Sequence, residues 1–265
     1  MLGRQQIAGI PTAIHELFKN AHDAYAEHVE VDYFRSDGVL VLRDDGFGMT
    51  KNEFESRWLT IGTESKVGAN TAKTTYPVAQ GERPRPIMGE KGIGRLAIAA
   101  IGPQVLIVSR ALRQDELYAP VVSLVNWGLF EVPGLDLDAI DIPVEELEPG
   151  SFPDESVLEM LVSRVRGNVE ELKLPEPYRS RILAELDELD LDPAFLAETL
   201  GEPTILGDGH GTHFLICPVN DILSDDIDNA ADDSASPLQK MLLGFSNTMM
   251  PDRPKPVIVA EFRDH

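Results

Sequence analysis

The chain has 265 residues, of which 43 % are hydrophobic, so it can bury a sizeable core in one large domain or in one domain with an appendage. It carries 23 Lys and Arg against 45 Asp and Glu, and its formal net charge of -22 would repel a phosphate backbone or an anionic membrane surface. The single cysteine, Cys217, excludes an intrachain disulfide and indicates a buried core residue. With no secretory signal and no long apolar run, we expect a cytoplasmic protein that does not bind nucleic acid or membrane directly.

The first 60 residues predict a helix, two strands and a short second helix. Thr12 is a good N-cap, and the apolar residues after it recur at helical spacing as far as Tyr25. Alternating residues predict a strand over 29–33, and a turn leads to a more buried strand over 39–42. Thr50 and Glu53 form a capping-box pattern that predicts a short helix toward Trp58.

Residues 60–88 show little periodicity, and a loop of that length inside a compact domain is usually functional or disordered. A helix is predicted over 95–101, and a polar hairpin joins strands predicted over 105–109 and 117–125. Composition changes near 130, and we interpret 130–200 as an acidic insertion or lateral appendage with helices over 154–172 and 176–200.

A strand resumes over 212–218, and residues 221–237 are interpreted as an acidic linker. A helix is predicted over 238–249 and a last strand over 257–262. That strand has no obvious partner nearby, so we expect residues 221–265 to be a linker and the beginning of a following domain, after a main domain over 1–220.

The first helix carries a polar stripe opposite its apolar face. Glu16, Asn20 and Asp23 lie four and three residues apart, which places them on one side of the helix. A solvated helix surface explains this stripe equally well when it is taken alone. A carboxylate and an amide one turn apart can also hold a water and a magnesium ion respectively.

Three glycine-containing segments follow. Asp44, Gly46 and Gly48 come directly after a buried strand, where a carboxylate can accept an exocyclic amine and glycines let a flat base approach, or where they only make a turn. The loop 89–94 opens a helix and can bind an anion or act as a hinge; it lacks the ending of a Walker A loop. In the turn 209–212, His210 and its neighbour His213 are interpreted as surface or packing residues rather than metal ligands.

The order and spacing of these segments resemble the GHKL ATPase family (gyrase B, heat-shock chaperone, histidine kinase, MutL). Five motifs carry the resemblance: Glu16-x-x-x-Asn20-x-x-Asp23-Ala24, Asp44-x-Gly46-x-Gly48, residues 58–66, Gly89-x-x-Gly92-x-Gly94, and Gly211-Thr212. The resemblance covers roughly residues 5–125 and 205–220. It implies an α+β fold, the two-layer α/β sandwich called the Bergerat fold, with a helical insertion and the start of a second domain.

The resemblance also implies a role for each matching residue in binding ATP and Mg²⁺. Glu16 would be the general base, Asn20 would coordinate Mg²⁺, and Asp44 would accept the adenine amine with help from Thr212. Asp23 would support the site structurally. The other implied ATP-binding residues are Gly46, Gly48, Met49, Lys91, Gly92, Ile93 and Gly94.

By the same resemblance, residues 60–88 would form a lid over ATP, and lid closure would be coupled to homodimerisation through residues 1–10. Family members complete catalysis with a basic residue from a following domain, for which Lys255 is a candidate by position only. We therefore expect an ATP-dependent conformational switch that binds ATP and hydrolyses it slowly.

Two other functions stay open. A histidine-kinase-type phosphotransfer domain shares the pocket, although the Asp23-Ala24 pair fits the ATPase branch better. A non-hydrolysing, ATP-responsive dimerisation module is the second alternative. Within the family, residues 58–66 favour the MutL-like and MORC-like branch, and the insertion over 130–200 offers a surface for a protein partner.

Overall fold

The computed structural model describes residues 9–59, 85, 88, 93–194, 201–229, 235–248 and 257–265. Its helices are α1 (Ile10–Asp23), α2 (Lys51–Glu53, continued by a π-helical turn over Phe54–Trp58), α3 (Ile93–Ile101), α4 (Glu155–Glu171), α5 (Tyr178–Asp187), α6 (Ile222–Asp228) and α7 (Pro237–Thr248). Its strands are β1 (His28–Phe34), β2 (Val39–Asp44), β3 (Gln104–Arg110), β4 (Leu112–Arg113), β5 (Glu116–Leu117), β6 (Val121–Asn126), β7 (Val144–Glu146), β8 (Gly211–Ile216) and β9 (Val259–Asp264).

Helix α1 begins two residues before the predicted N-cap. Gly9 is the cap, with φ 96, and Pro11 lies in the first turn. A proline is well tolerated there because the first backbone N–H groups of a helix have no partner within it. Thr12 is therefore not the cap. The predicted capping box of α2 is confirmed, since Thr50 and Glu53 bond reciprocally.

Seven strands form one sheet in the order β7-β6-β3-β8-β2-β1-β9. Neighbouring strands are antiparallel except β1 and β9, which are parallel. Strand β2 pairs with β8 so that Asp44 lies opposite Thr212, and β8 in turn pairs with β3. Residues far apart in the sequence are thereby brought to one end of the sheet.

Helices cover both faces of the sheet. The predicted mixed α+β fold is confirmed, and the helices on the second face form a third layer beside the two that were predicted. One face packs against α1, α3, α6 and α7 through a core that includes Ile14, Phe18 and Ile107. The other face packs against α4 and α5 through a core that includes Leu106, Leu161 and Ile182. The segment expected as a lateral appendage thus supplies the helices that bury the second face of the sheet.

The C-terminal segment differs from its prediction. Strand β9 pairs with β1 along its length, for example Phe262 with Val31, and is the last strand of the same sheet rather than the start of a separate one. Helix α6 lies inside the predicted linker and buries Leu223 completely. Sequence proximity could not show this, because the partner strand lies more than two hundred residues earlier.

The end of helix α5 also differs from its prediction. Helix α5 ends at Asp187, before the predicted end at 200, although residues 195–200 are outside the described part. None of the helices in the described ranges is long and apolar enough to cross a membrane.

Candidate functional site

The C-terminal end of α1 lies beside the loop over 44–48, since the backbone N–H of Phe47 donates to the carbonyl oxygen of Ala24. Glu16 has a side chain that is 14 % exposed and accepts an ion-paired hydrogen bond from Lys19, with 2.6 Å between Nζ and Oε1. Asn20, one turn later, is exposed. Asp23 accepts a hydrogen bond from the backbone N–H of Met88 at 2.9 Å. Asp23 therefore holds the backbone at Met88 in place.

Asp44 is a buried carboxylate with a raised pKa. It ends β2, is 4 % exposed, and accepts the backbone N–H of Gly46 at 2.9 Å. Burial raises the pKa of Asp44 to about 7; the nearby charge of Asp45 raises it further, and the backbone N–H groups of Gly46 and Thr212 oppose the rise. A buried carboxylate whose neighbouring donors are backbone groups is prepared to accept a further donor from a ligand.

Two glycines after Asp44 are required by close backbone approaches. A Cβ on Gly46 would lie 2.9 Å from the Cβ of Ala24, at the end of α1. Gly48 has φ +57, and a Cβ there would lie 2.1 Å from the carbonyl oxygen of Arg110. The loop over 44–48 is therefore pressed between α1 and the end of β3, where only glycine fits.

Ser109 and Thr212 form a buried hydroxyl pair beside this loop. Their side-chain oxygens are 2.9 Å apart, and both residues are buried. The backbone N–H of Met49 donates to Ser109 at 2.9 Å, while the side chain of Met49 packs against the core. Thr212 lies directly opposite Asp44 on the neighbouring strand.

The turn before β8 is held by hydrogen bonds from a half-buried histidine and a buried arginine. One ring nitrogen of His210 lies 2.7 Å from the carbonyl oxygen of Gly46, and it must be the donor because a carbonyl only accepts. Arg110, which is 6 % exposed, donates to the carbonyl oxygens of Ile205 at 3.0 Å and Gly207 at 2.6 Å. His213 is buried, and burial together with the charge of Arg43 lowers its pKa to about 3, which confirms a packing role.

Several predicted residues converge on this end of the sheet. The loop over 44–48, called the glycine loop below, contains Asp44, Gly46 and Gly48, and it is followed by Met49 and faced by Thr212. The N–H of Phe47 in this loop donates to the carbonyl oxygen of Ala24 at the end of α1, at 2.9 Å. Ile93 and Gly94 begin α3, which packs along α1. Lys91, Gly92, Lys255, the expected lid over 60–88 (apart from residues 85 and 88) and the first eight residues lie outside the described residues.

Sequence reasoning missed Ser109, Arg110 and Arg113, and it gave His210 no role in the site. The available signal was weak: Ser109 and Arg110 are polar residues at the end of an apolar strand, and such residues commonly mark only a strand end. Their function depends on contacts with segments that lie about 60 residues or more away.

A magnesium ion fits this donor set only together with a phosphate ligand. Among the described residues, no group of three His, Cys, Asp or Glu side chains could hold a metal ion. Asn20 offers one exposed amide oxygen one turn from Glu16. Mg²⁺ usually keeps several waters and binds proteins through one or two side chains plus substrate phosphates, so a single protein oxygen is sufficient.

The comparison with protein families agrees with this geometry. Residues 9–125 match the family described as histidine kinase-, DNA gyrase B-, and HSP90-like ATPase. This part of the chain is therefore similar to GHKL-type ATPase domains. The matched range contains α1, the loop over 44–48 and β3, whereas His210 and Thr212 lie outside it.

The chain is also similar over part of its length to proteins named chaperone protein HtpG. The one from Shouchella clausii is 32 % identical over 96 residues, covering 36 % of this chain and 14 % of that protein. The one from Halalkalibacterium halodurans is 29 % identical over 122 residues, covering 43 % and 19 %, and that from Bacillus subtilis is 27 % identical over 122 residues, covering 43 % and 18 %. The aligned part therefore spans less than a fifth of each relative, and the MutL-like and MORC-like branch stays a prediction.

Proposed function

We propose that this GHKL-type domain binds MgATP, hydrolyses it slowly, and uses the nucleotide as a conformational and dimerisation switch. The observation that carries the proposal is the environment of Asp44. It is a buried carboxylate opposite Thr212, at the start of a loop whose glycines pack closely against α1 and β3. The exocyclic amine of adenine supplies the donor that this carboxylate lacks.

Glu16 is proposed as the general base and Asn20 as the protein ligand of Mg²⁺. The Lys19 ion pair engages one carboxylate oxygen of Glu16, which leaves the other for a water molecule. When bound, Mg²⁺ would neutralise charge on the phosphates. The helix carrying both residues also contacts the loop over 44–48 through Ala24, so the proposed general base and the loop proposed to meet adenine are held by the same helix.

The proposed ATP-binding set keeps the residues that the resemblance supplies. Beside Asp44, Thr212 and Asn20, it comprises Gly46, Gly48, Met49, Lys91, Gly92, Ile93 and Gly94. The helix N-terminus of α3 begins at Ile93, and exposed backbone N–H groups at such a position bind phosphate oxygens favourably. The main domain is proposed to span residues 1–220, with β9 added to its sheet.

The test measures MgATP binding and phosphate release for the unsubstituted chain, Glu16→Ala and Asp44→Asn. Glu16→Ala should keep ATP binding and lose about 10²–10⁴ in hydrolysis rate, the usual contribution of a general base. Asp44→Asn should lose binding itself, because an amide donor would then face the adenine amine. Glu159→Ala and Asp37→Asn are the matched controls, since both side chains belong to exposed residues away from the site.

The outcomes separate the alternatives. Absence of ATP binding by the unsubstituted chain would contradict the proposal. Binding without phosphate release, together with equal dimerisation by ATP and a non-hydrolysable analogue in sedimentation experiments, would favour the non-hydrolysing module. Transfer of the γ-phosphate to a histidine of a partner protein would favour the kinase-type alternative.

A further inference from the structure

Arg113 lies at the end of the short strand β4, next to the glycine loop and to α2. Its side chain is 17 % exposed. One terminal nitrogen donates to the carbonyl oxygen of Phe47 at 2.5 Å, and the other donates to that of Gly48 at 2.9 Å. A single guanidinium therefore binds two consecutive carbonyl groups of the loop that follows Asp44.

The same guanidinium reaches the capping box of α2. The nitrogen that contacts Gly48 also lies 2.5 Å from Oε2 of Glu53. That oxygen further accepts the backbone N–H of Thr50 at 3.0 Å and its hydroxyl at 3.1 Å. Burial opposes ionisation of Glu53, but the Thr50 backbone and Arg113 outweigh it and hold the pKa of Glu53 below its ordinary value.

These contacts join the middle of the segment between β2 and α2 to α2 itself. His210 also binds the carbonyl oxygen of Gly46, and the N–H of Leu112 donates to the carbonyl oxygen of Phe47 at 3.1 Å. Three consecutive loop carbonyls are thus held by donors from other parts of the chain. Gly46 packs against Ala24 and Gly48 packs against the backbone of Arg110, so the surface that this loop offers to a base depends on the backbone keeping this shape.

We propose that Arg113 is a positioning residue for the nucleotide base: it fixes the backbone of residues 47–48 against the capping box of α2 and so sets the surface that adenine meets. The inference rests on the proposed function. An arginine is required because its planar fork reaches two carbonyls and a carboxylate at once, whereas the ammonium of lysine is a point donor on a flexible stem.

The experiment compares the affinities of ATP, ADP and adenosine for the unsubstituted chain, Arg113→Met, Arg113→Lys and Glu53→Gln. Arg113→Met should weaken all three ligands by a similar factor of about tenfold or more, the effect of losing a charge-assisted hydrogen bond. Arg113→Lys should recover only part of that loss. Glu53→Gln keeps an acceptor for Thr50 and should lose less affinity than Arg113→Met. In a chain that already carries Glu53→Gln, the Arg113→Met substitution should reduce affinity by a smaller factor than it does in the unsubstituted chain.

Hydrogen exchange provides a measurement that does not depend on the nucleotide. In Arg113→Met, the backbone N–H groups of Met49, Thr50 and Leu112 should exchange at least about tenfold faster, while those in the centre of β3 and β8 keep their rates. Arg164→Met is the matched control, because it removes an arginine that pairs with Asp141 and Glu145 on the insertion. Its affinities should equal those of the unsubstituted chain.

The outcomes distinguish this inference from the function on which it rests. If the unsubstituted chain binds nucleotide and Arg113→Met binds all three ligands within twofold of it, the inference is wrong and the proposed function stands. A loss confined to ATP would also overturn it, since that pattern indicates the phosphate end. If the unsubstituted chain binds no nucleotide, the proposed function fails and this inference fails with it.

Discussion

Asp44 and Thr212 face each other across the antiparallel pair β2–β8, although 168 positions of chain separate them (212 − 44). Both are buried, and Thr212 shares a hydroxyl contact with Ser109 on the next strand. The end of the sheet thereby presents a carboxylate and two hydroxyls from three neighbouring strands. Hydroxyl groups donate or accept by rotation, so this set can adjust to a ligand that the carboxylate orients.

Replacement of Asp44 by asparagine should make the ligand-free protein more stable at alkaline pH. The pKa of Asp44 is about 7 in the folded chain against an ordinary 3.8. A raised pKa means that the contribution of this carboxyl to the free energy of unfolding is fully present below pH 3.8 and is lost as pH rises through 7. The asparagine side chain is neutral throughout, so Asp44→Asn avoids the loss, with an upper bound of roughly 4 kcal/mol.

Urea unfolding of both proteins without nucleotide, at pH 5.5 and pH 8, measures this difference. The advantage of Asp44→Asn should be larger at pH 8. Equal differences at the two pH values would show that Asp44 titrates normally and that its burial is compensated by other groups. A variant that gains stability while losing ATP binding would mark Asp44 as a site where function is maintained at the expense of stability.

Affinity for the adenine base should fall below neutral pH. The carboxyl group of Asp44 accepts the amine more strongly when it is ionised, and its pKa of about 7 places the change in the physiological range. Adenosine is the probe because it carries no phosphate to titrate, and its dissociation constant should rise by up to about tenfold for each pH unit below 7. His210 contacts the same loop, so the same pH dependence in His210→Gln would assign the effect to Asp44, and a flat dependence would contradict it.

The sequence predicts the parts of the fold and the site that local patterns determine. The capping box of Thr50 and Glu53, the stripe on α1 and the glycines after Asp44 each depend on neighbours within a few residues, and the structure confirms their placement. Their proposed roles toward ATP remain predictions, because residue spacing defines where side chains lie and not what they bind.

The rest depends on contacts across long stretches of chain. Arg113 meets Gly48 across 65 residues, and Arg35 meets Asp264 across 229. An arginine in a polar hairpin gives no sign of which carbonyls it will bind. Likewise, β9 could be placed beside β1 only once the helices between them were known to fold back over the sheet. Periodicity identifies such a strand but not its partner.

Gly48→Ala should be far more damaging than Gly38→Ala, although the two glycines have similar backbone angles. Gly48 has φ +57 and Gly38 has φ +60, so alanine suffers comparable left-handed strain of about 1–2 kcal/mol at each. Nothing lies within 4 Å of a Cβ on Gly38, whereas on Gly48 it would meet the backbone of Arg110 at 2.1 Å. That clash should add roughly 1–3 kcal/mol of overpacking and displace the glycine loop.

Thermal unfolding and nucleotide binding of the two alanine variants test this pair. Gly38→Ala should bind ATP as the unsubstituted chain does, and Gly48→Ala should lose binding. If both variants lose the same stability and both retain binding, the contact between the glycine loop and β3 is looser than the structure indicates.

Asp32 should stabilise the C-terminal strand far more than Glu261 does, although both pair with Arg263. Asp32 is 2 % exposed and accepts from Arg43 at 2.9 Å, from Arg263 at 2.7 Å and from His265 at 2.8 Å. Burial opposes its ionisation, but these three donors outweigh it and hold the pKa of Asp32 at about 2. A lowered pKa contributes stability that is present above pH 3.8 and is lost as pH falls through 2.

Asp32→Asn should therefore lower the free energy of unfolding at pH 7 by about 3–5 kcal/mol, because it leaves the buried guanidinium of Arg43 with less compensating charge. Glu261→Gln is the matched control: its side chain is 54 % exposed, and its pair with Arg263 should contribute less than about 1 kcal/mol. Chemical denaturation of both variants at pH 7 gives the comparison. Similar small losses would mean that Glu30, which also bonds to Arg43 at 3.0 Å and to Arg263, compensates for both arginines when Asp32 is neutral.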